Sequence, residues 1–271
     1  MSRRGSLVRW ALILVVALYF VVPMLAMARF SFQAVPVIRL GWGTLLDRWS
    51  LGGLEQALSE PTFRSSTWTS TKITALTILV DLALLLPLAI TVELHAPRLR
   101  GPLTAVTLLP WVVPPIALVV GIAATFRSLA PWFLASPLSL VPFYALSAMP
   151  FTYRALDAGL RAIGARTLHE AARSLGAGMP TVIVRVLVPN LGASIVAAAM
   201  LTGAFVLGEF TFAALLLKTT LPTYMADYQR DEPRPGMALA LAVMVLTALA
   251  LALAARLLRR RGLELSSAGG A

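Results

Sequence analysis

Long apolar stretches alternate with short polar or basic segments along this chain, at about residues 8–28, 73–93, 103–126, 138–155, 191–217 and 237–258. A hydrocarbon core about 30 Å thick is crossed by about 20 helical residues rising about 1.5 Å each. Each stretch therefore predicts a membrane span, and the spans must be helical, because backbone facing lipid has to satisfy its hydrogen bonds within its own segment. The fourth is the least continuous, since Pro137, Pro142 and Pro150 fall in or beside it. In the third, Pro110, Pro114 and Pro115 cannot donate helical hydrogen bonds, which predicts a kink or an unwound turn. Such a bend either opens a cavity or hinge or only shapes packing. The fifth carries small residues four apart, Ala193/Ala197, Ala199/Gly203 and Ala204/Gly208, so another helix can approach it closely. The pattern predicts an all-α membrane protein with about six transmembrane helices.

Composition agrees. Of 271 residues, 58% are hydrophobic and 13% charged, far from the usage of a soluble domain. The absence of cysteine excludes a disulfide framework and a thiolate metal site. The two histidines, His95 and His169, are too few and too separated along the chain for a histidine metal cluster. A net charge of +11 would suggest nucleic acid in a soluble chain, but here the arginines sit at the ends of apolar stretches and act as topology signals. Placing Arg3, Arg4 and Arg9 inside also puts Arg98, Arg100, the 154–185 loop and the 256–261 tail inside, so both termini are expected in the cytoplasm. The first stretch is longer than a signal-peptide core and no small-residue cleavage site follows, so it reads as a retained anchor.

Two connections stand out. The outer one, residues 29–71, is long for a loop without structure, and carries Trp42, Trp49 and Trp68 among glycine and serine. It forms either an interfacial aromatic belt or a docking surface for a soluble partner. The inner one, residues 154–190, contains Thr167-Leu168-His169-Glu170, whose form as a capping box predicts a helix start. Ala171, Ala172, Arg173 and Leu175 continue that helix, and Gly176 with Gly178 supplies left-handed backbone to end it. Pro180 suits the first turn of a second helix, which Pro189 closes. The result is a two-helix knob with an apolar face of Leu168, Ala172 and Leu175.

The spacing in this loop is specific: Glu170-Ala171-Ala172, three residues, Gly176, nine residues, then Val186-Leu187-Val188-Pro189. It resembles the EAA loop of permease subunits of binding-protein-dependent, MetI-like type I ABC importers. Leu109-Pro110-Trp111-Val112-Val113-Pro114-Pro115-Ile116-Ala117 and Leu207-Gly208-Glu209-Phe210-Thr211 are similar to the branch serving spermidine/putrescine, ferric ion and thiamine. The resemblance covers roughly residues 70–258, the core of a single permease domain over residues 1–271. It departs only where Val186 and Val188 replace the more usual Ile and Leu. It implies a prokaryotic inner-membrane subunit that binds no cofactor, with ATP and Mg held by a separate ATPase. Its implied partners are a second permease subunit, two ATP-binding subunits and an external solute-binding protein. Glu170, Ala171, Ala172, Arg173, Leu175, Gly176 and Ala177 would contact the ATPase, and the fifth span would face the path between the two permeases.

Asp81 and Glu209 lie inside predicted spans, where acids are costly and are functional candidates. Either they flank an outward-facing cavity that favours a cationic, polyamine-like solute, or they are structural: protonated, or paired with Lys72, Arg127 or a partner subunit. With Pro114 and Pro115 they are the candidates for the translocation path. There is no phosphate-binding Gly-x-x-x-x-Gly-Lys-Ser/Thr loop, activated nucleophile or catalytic carboxylate pair, so no enzyme is predicted. The competing functions are an ion-coupled secondary carrier using Asp81 and Glu209, which leaves the inner loop unexplained, and a membrane anchor without transport.

Overall fold

The computed structural model describes residues 3–39, 41–44 and 47–260; Arg261, the end of the basic tail, lies outside the described residues. The regular structure of the described residues is helical. Helix α1 (Arg3–Phe32) is followed by single 3-10 turns at Val37–Arg39 and Trp42–Thr44, then α2 (Gly52–Ser59) and α3 (Pro61–His95). A 3-10 turn at Pro97–Leu99 leads to α4 (Arg100–Val112), α5 (Pro115–Leu129) and α6 (Pro131–Ala135), and another at Pro137–Leu140 to α7 (Val141–Ala162). The loop after α7 holds α8 (Ala165–Ser174), α9 (Met179–Thr181), a π-helical stretch at Val182–Leu187 and α10 (Val188–Asn190). Then come α11 (Gly192–Gly208), α12 (Thr211–Leu215), α13 (Leu221–Asp231) and α14 (Pro233–Arg260). Among the described residues the sole extended pairing is an isolated antiparallel bridge between Gln33 and Trp49.

Four segments are long and apolar enough to cross a membrane: Arg9–Phe32, Pro61–His95, Gly192–Leu215 and Pro233–Leu253. The third predicted span is a pair, Pro97–Val112 and Pro115–Leu129, bent by 83°, which makes four spans or five. The bend has a local cause. Val113 and Pro114 are extended, with ψ of 125° and 134°. A residue before proline is pushed out of the helical region, and two consecutive prolines remove two donors. Pro110, by contrast, stays inside α4. The count falls short of the six expected because α7, the fourth predicted stretch, is long enough but too polar, carrying Arg154, Asp157 and Arg161 toward its end. Helix α13 lies between predicted spans and was not anticipated.

The chain forms two compact units, Met1–Arg64 with Tyr224–Leu246, and Ser65–Thr223 with Thr247–Ala271. In the smaller unit, Ala57, Tyr224 and Leu239 form a core with Phe63 and Tyr228 against it, and the Tyr224 and Tyr228 rings stack 5.4 Å apart. The segment after α1 is folded: Arg29 donates to the Gly41 carbonyl at 2.6 Å, and the Gln33 amide donates to the Thr44 and Asp47 carbonyls. The expected outer loop is thus partly α1, partly this folded turn, and partly α2 and the start of α3.

The larger unit is organised around α7. Its buried residues Tyr153, Leu156 and Leu160 meet Leu85, Ile90, Leu187, Leu191 and Ala198 in one core, while Tyr144 meets Ile73, Leu140, Val206 and Phe212 in a second. Helix α7 lies along α11 so closely that a β-carbon at Gly159 would collide with the Ser194 side chain. The small residues of α11 are used within this chain: Ala198, Thr202 and Gly203 are buried, and Gly203 faces Ile78 and Thr74 of α3.

Candidate functional site

The loop expected on the inner side begins where α7 ends. Gly164 takes a left-handed conformation (φ 61°, ψ 49°) that turns the chain into α8, and the helix starts at Ala165 with no side-chain cap. The Thr167–Glu170 capping box therefore does not form, because the glycine turn starts the helix three residues earlier than a cap at Thr167 would. The far end follows a full Schellman motif. Gly176 is left-handed (φ 82°), its N–H bonds the Arg173 carbonyl at 3.0 Å, and the Ala177 N–H reaches back to the Ala172 carbonyl at 3.0 Å. Ala172 and Ala177, the positions that are often apolar at such a turn, both pack against the core. Gly178 is extended (φ −73°, ψ 159°), so Gly176 alone provides the left-handed step.

Pro180 occupies the first turn of α9, as the sequence predicts. Pro189 does not close the segment but lies within α10, directly after the π-helical stretch. Proline lacks the N–H that the Arg185 carbonyl would accept and its ring crowds that carbonyl; widening the preceding turn relieves both problems. Of the aliphatic run, Leu187 is fully buried, whereas Val186 and Val188 are partly covered.

Burial divides the knob into two faces. Leu168, Ala172, Ala177 and Ile183 lie against the core that contains Leu156, Leu160 and Val182. Glu170, Ala171, Arg173 and Gly176 are exposed, and Leu175 is 88% exposed. The apolar face expected from Leu168, Ala172 and Leu175 is thus split: two of the three anchor the knob and the third projects outward. Leu175 keeps a near-helical backbone (φ −84°, ψ 6°) but stands at the end of α8, beyond the core on which Leu168 and Ala172 pack.

The candidate path residues occupy two settings. Asp81 of α3 is fully buried; its Oδ2 accepts a bond from Thr152 of α7 at 3.0 Å, and Thr152 lies 2.6 Å from Thr202 of α11. Its Oδ1 meets no donor among the described residues. Lys72, considered as a partner for the acids, instead stands 5.1 Å over the Trp68 ring. Glu209 lies at the interruption between α11 and α12, where its carboxylate accepts from the N–H groups of Thr211 at 2.8 Å and Phe212 at 3.2 Å. The Pro114–Pro115 break opens onto a cavity of about 290 Å³ lined by Trp111, Val113, Pro115, Ser147, Phe205 and Phe212. Two interrupted helices, α4/α5 and α11/α12, therefore meet at one cavity. Trp111 is held there by a bond to the Ser147 carbonyl at 2.9 Å and by the Phe151 and Phe205 rings.

Sequence reasoning missed a cluster of charges where α3, α4, α7 and α8 converge. Glu93 pairs with Arg100 and lies 3.8 Å from Arg166; Asp157 pairs with Arg100 at 2.9 Å and Arg161 at 3.0 Å. Its members are spread over more than seventy positions, so no local pattern announces it; the surplus of arginine in the inner segments was the available signal. The two histidines, separated in sequence, also come together, with ring centroids 6.1 Å apart.

Interrupted apolar helices around a cavity, with an amphipathic knob between two of them, define a multi-pass membrane protein of the permease type. The family described as binding-protein-dependent transport system inner membrane component matches residues 85–262, about two thirds of the chain, and the chain belongs to that family. It is a membrane permease component of the MetI-like ABC importer superfamily, a non-catalytic transport subunit. This membership displaces the alternatives of an ion-coupled carrier and a transport-free anchor. No curated protein matches the chain.

Proposed function

We propose that this chain is one wall of a solute path in a prokaryotic inner membrane and that its inner loop docks on a separate ATPase. On this reading the loop from Glu170 to Ala177 lies in the cytoplasm, as do both termini, and α7 completes a sixth span. Protein neighbours rather than lipid surround much of α7, which accommodates its polar end. The observation that carries the docking reading is Leu175, an apolar side chain 88% exposed on a knob whose opposite face is anchored in the core. Exposed Glu170, Ala171, Arg173 and Gly176 surround it, and a groove on a partner would cover them.

The assembly consists of this chain, a second permease subunit, two ATP-binding subunits and an external solute-binding protein. ATP and Mg are held by the ATP-binding subunits, and closure of those subunits moves the knob. Pro114, Pro115, Glu209 and Asp81 mark the path. The aromatic wall of Trp111 and Phe205 near an acid suits a small cationic, polyamine-like solute. The test is to purify the assembled transporter carrying Leu175→Asp: the ATP-binding subunits are lost from it while this chain remains in the membrane. Retention of those subunits at full occupancy would overturn docking. For the path, Glu209→Gln together with Trp111→Ala should reduce uptake of the cationic solute without loss of assembly.

A further inference from the structure

The coupling loop is anchored by more than apolar contact. Arg166, in the first turn of α8, donates from Nε to the main-chain carbonyl of Glu93 at 2.9 Å, and the same nitrogen lies 3.8 Å from the Glu93 carboxylate. The carbonyl is available for a reason written in the sequence. In a continuing helix the oxygen of Glu93 would accept from the N–H four residues on, but that residue is Pro97, which has none. The guanidinium of Arg166 takes the place of the missing donor, and a cation at a helix C-terminus also meets the negative end of its dipole.

From Glu93 the ionic contacts continue. The Glu93 carboxylate pairs with Arg100, the first residue of α4, and Arg100 pairs at 2.9 Å with Asp157 near the end of α7, which also holds Arg161. The Glu93 and Asp157 side chains are only 9% and 13% exposed. Burying such acids is costly, and apolar residues of similar volume would serve stability as well; the hydrogen bonds from Arg100 to the Glu93 carboxylate and from Arg166 to the Glu93 carbonyl are directional and fix one relative geometry, to which the Arg100–Asp157 pair adds attraction. The His95 and His169 rings add a second contact between α3 and α8.

We infer that Glu93, Arg100, Asp157 and Arg166 form a rigid joint that makes α8 and the inner ends of α3 and α4 move as one body. These are positioning residues: they touch neither solute nor nucleotide, and they carry displacement of the knob into the membrane helices. This rests on the reading that α8 docks on the ATPase. Apolar contacts of Leu168 and Ala172 would allow α8 to slide; the ionic contacts remove that freedom, so a push on Leu175 reaches the α4/α5 break instead of being absorbed in the loop.

The assembled transporter carrying Arg166→Gln tests this. The ATP-binding subunits stay attached and basal hydrolysis is unchanged, but solute moved per ATP hydrolysed falls about tenfold, within the range of ordinary allosteric couplings; Arg166→Lys restores part of it. Unchanged transport per ATP hydrolysed in the intact assembly would overturn the joint. Failure of docking itself shows separately, as retention of those subunits by Leu175→Asp. Should Arg166→Gln not assemble, a second measurement decides. The chain has no cysteine, so His95→Cys with His169→Cys can be bridged by a short reducible bis-thiol reagent. A rigid joint keeps at least half of its uptake when bridged. Uptake abolished by bridging and recovered on reduction would mean that α8 moves against α3, and would overturn the inference.

Discussion

Helices α1 and α7 are both more than twenty residues long, yet they are built for opposite surroundings. Through residues 10–26, α1 is apolar on every side and exposed on every side, as a helix facing lipid should be. Helix α7 is too polar to qualify as a span by its composition, yet it supplies Tyr144, Ala148, Tyr153, Leu156 and Leu160 to the core. Hydropathy therefore records what a helix faces, and the helix at the centre of a membrane protein is the one it reads least well. The candidate functional features follow the second type. The buried Asp81–Thr152–Thr202 contacts, the charged joint and the root of the knob all involve α7 or the helices packed on it.

The largest effect that would sharpen this contrast is expected at Gly159. Gly159→Leu forces a side chain into Ser194 where α7 and α11 touch, and overpacking there should cost about 3 kcal/mol, read as loss of folded chain from purified membranes. Recovery of normal levels would mean that α7 and α11 separate readily. Next is Thr152→Val, which keeps shape but removes the donor to Asp81; leaving a buried carboxyl unpartnered should destabilise by about 1–3 kcal/mol, seen as a lower thermal midpoint of the purified assembly. Gly176→Val places a branched side chain in a left-handed turn at a cost of about 1–2 kcal/mol, and faster hydrogen exchange at the Ala177 amide should report the opened turn. The smallest effect belongs to α1: Leu14→Ala should change stability by less than about 0.5 kcal/mol, since its side chain meets no core. A large drop in the thermal midpoint there would show that α1 is held by protein contacts and would erase the contrast.

Much of this was legible in the sequence, for identifiable reasons. Four apolar stretches became long helices because burial in lipid demands one continuous property, and Pro114–Pro115 announced the break between α4 and α5 because proline acts locally. The knob was legible through Gly176 and Pro180, which also act locally. The Thr167 capping box failed because Gly164, three residues before it, started the helix first. Leu175 was grouped with Leu168 and Ala172 because helical periodicity tells which residues share a face and not where the core beneath that face ends. The contacts of Glu93 with Arg166 and of Asp81 with Thr152 join residues about seventy positions apart, and no periodic pattern encodes such pairs.

The central claim is that the outward face of the knob is covered by an ATP-binding subunit, and site-specific cross-linking from this cysteine-free chain tests it most directly. Single cysteines at Leu175, Ala171 and Ala172, each carrying a short photoactivated cross-linker, would be compared in the assembled transporter. Strong adducts with the ATP-binding subunit from positions 175 and 171, and little from the half-buried position 172, are the predicted result. Equal labelling from all three, or adducts with lipid alone, would contradict it.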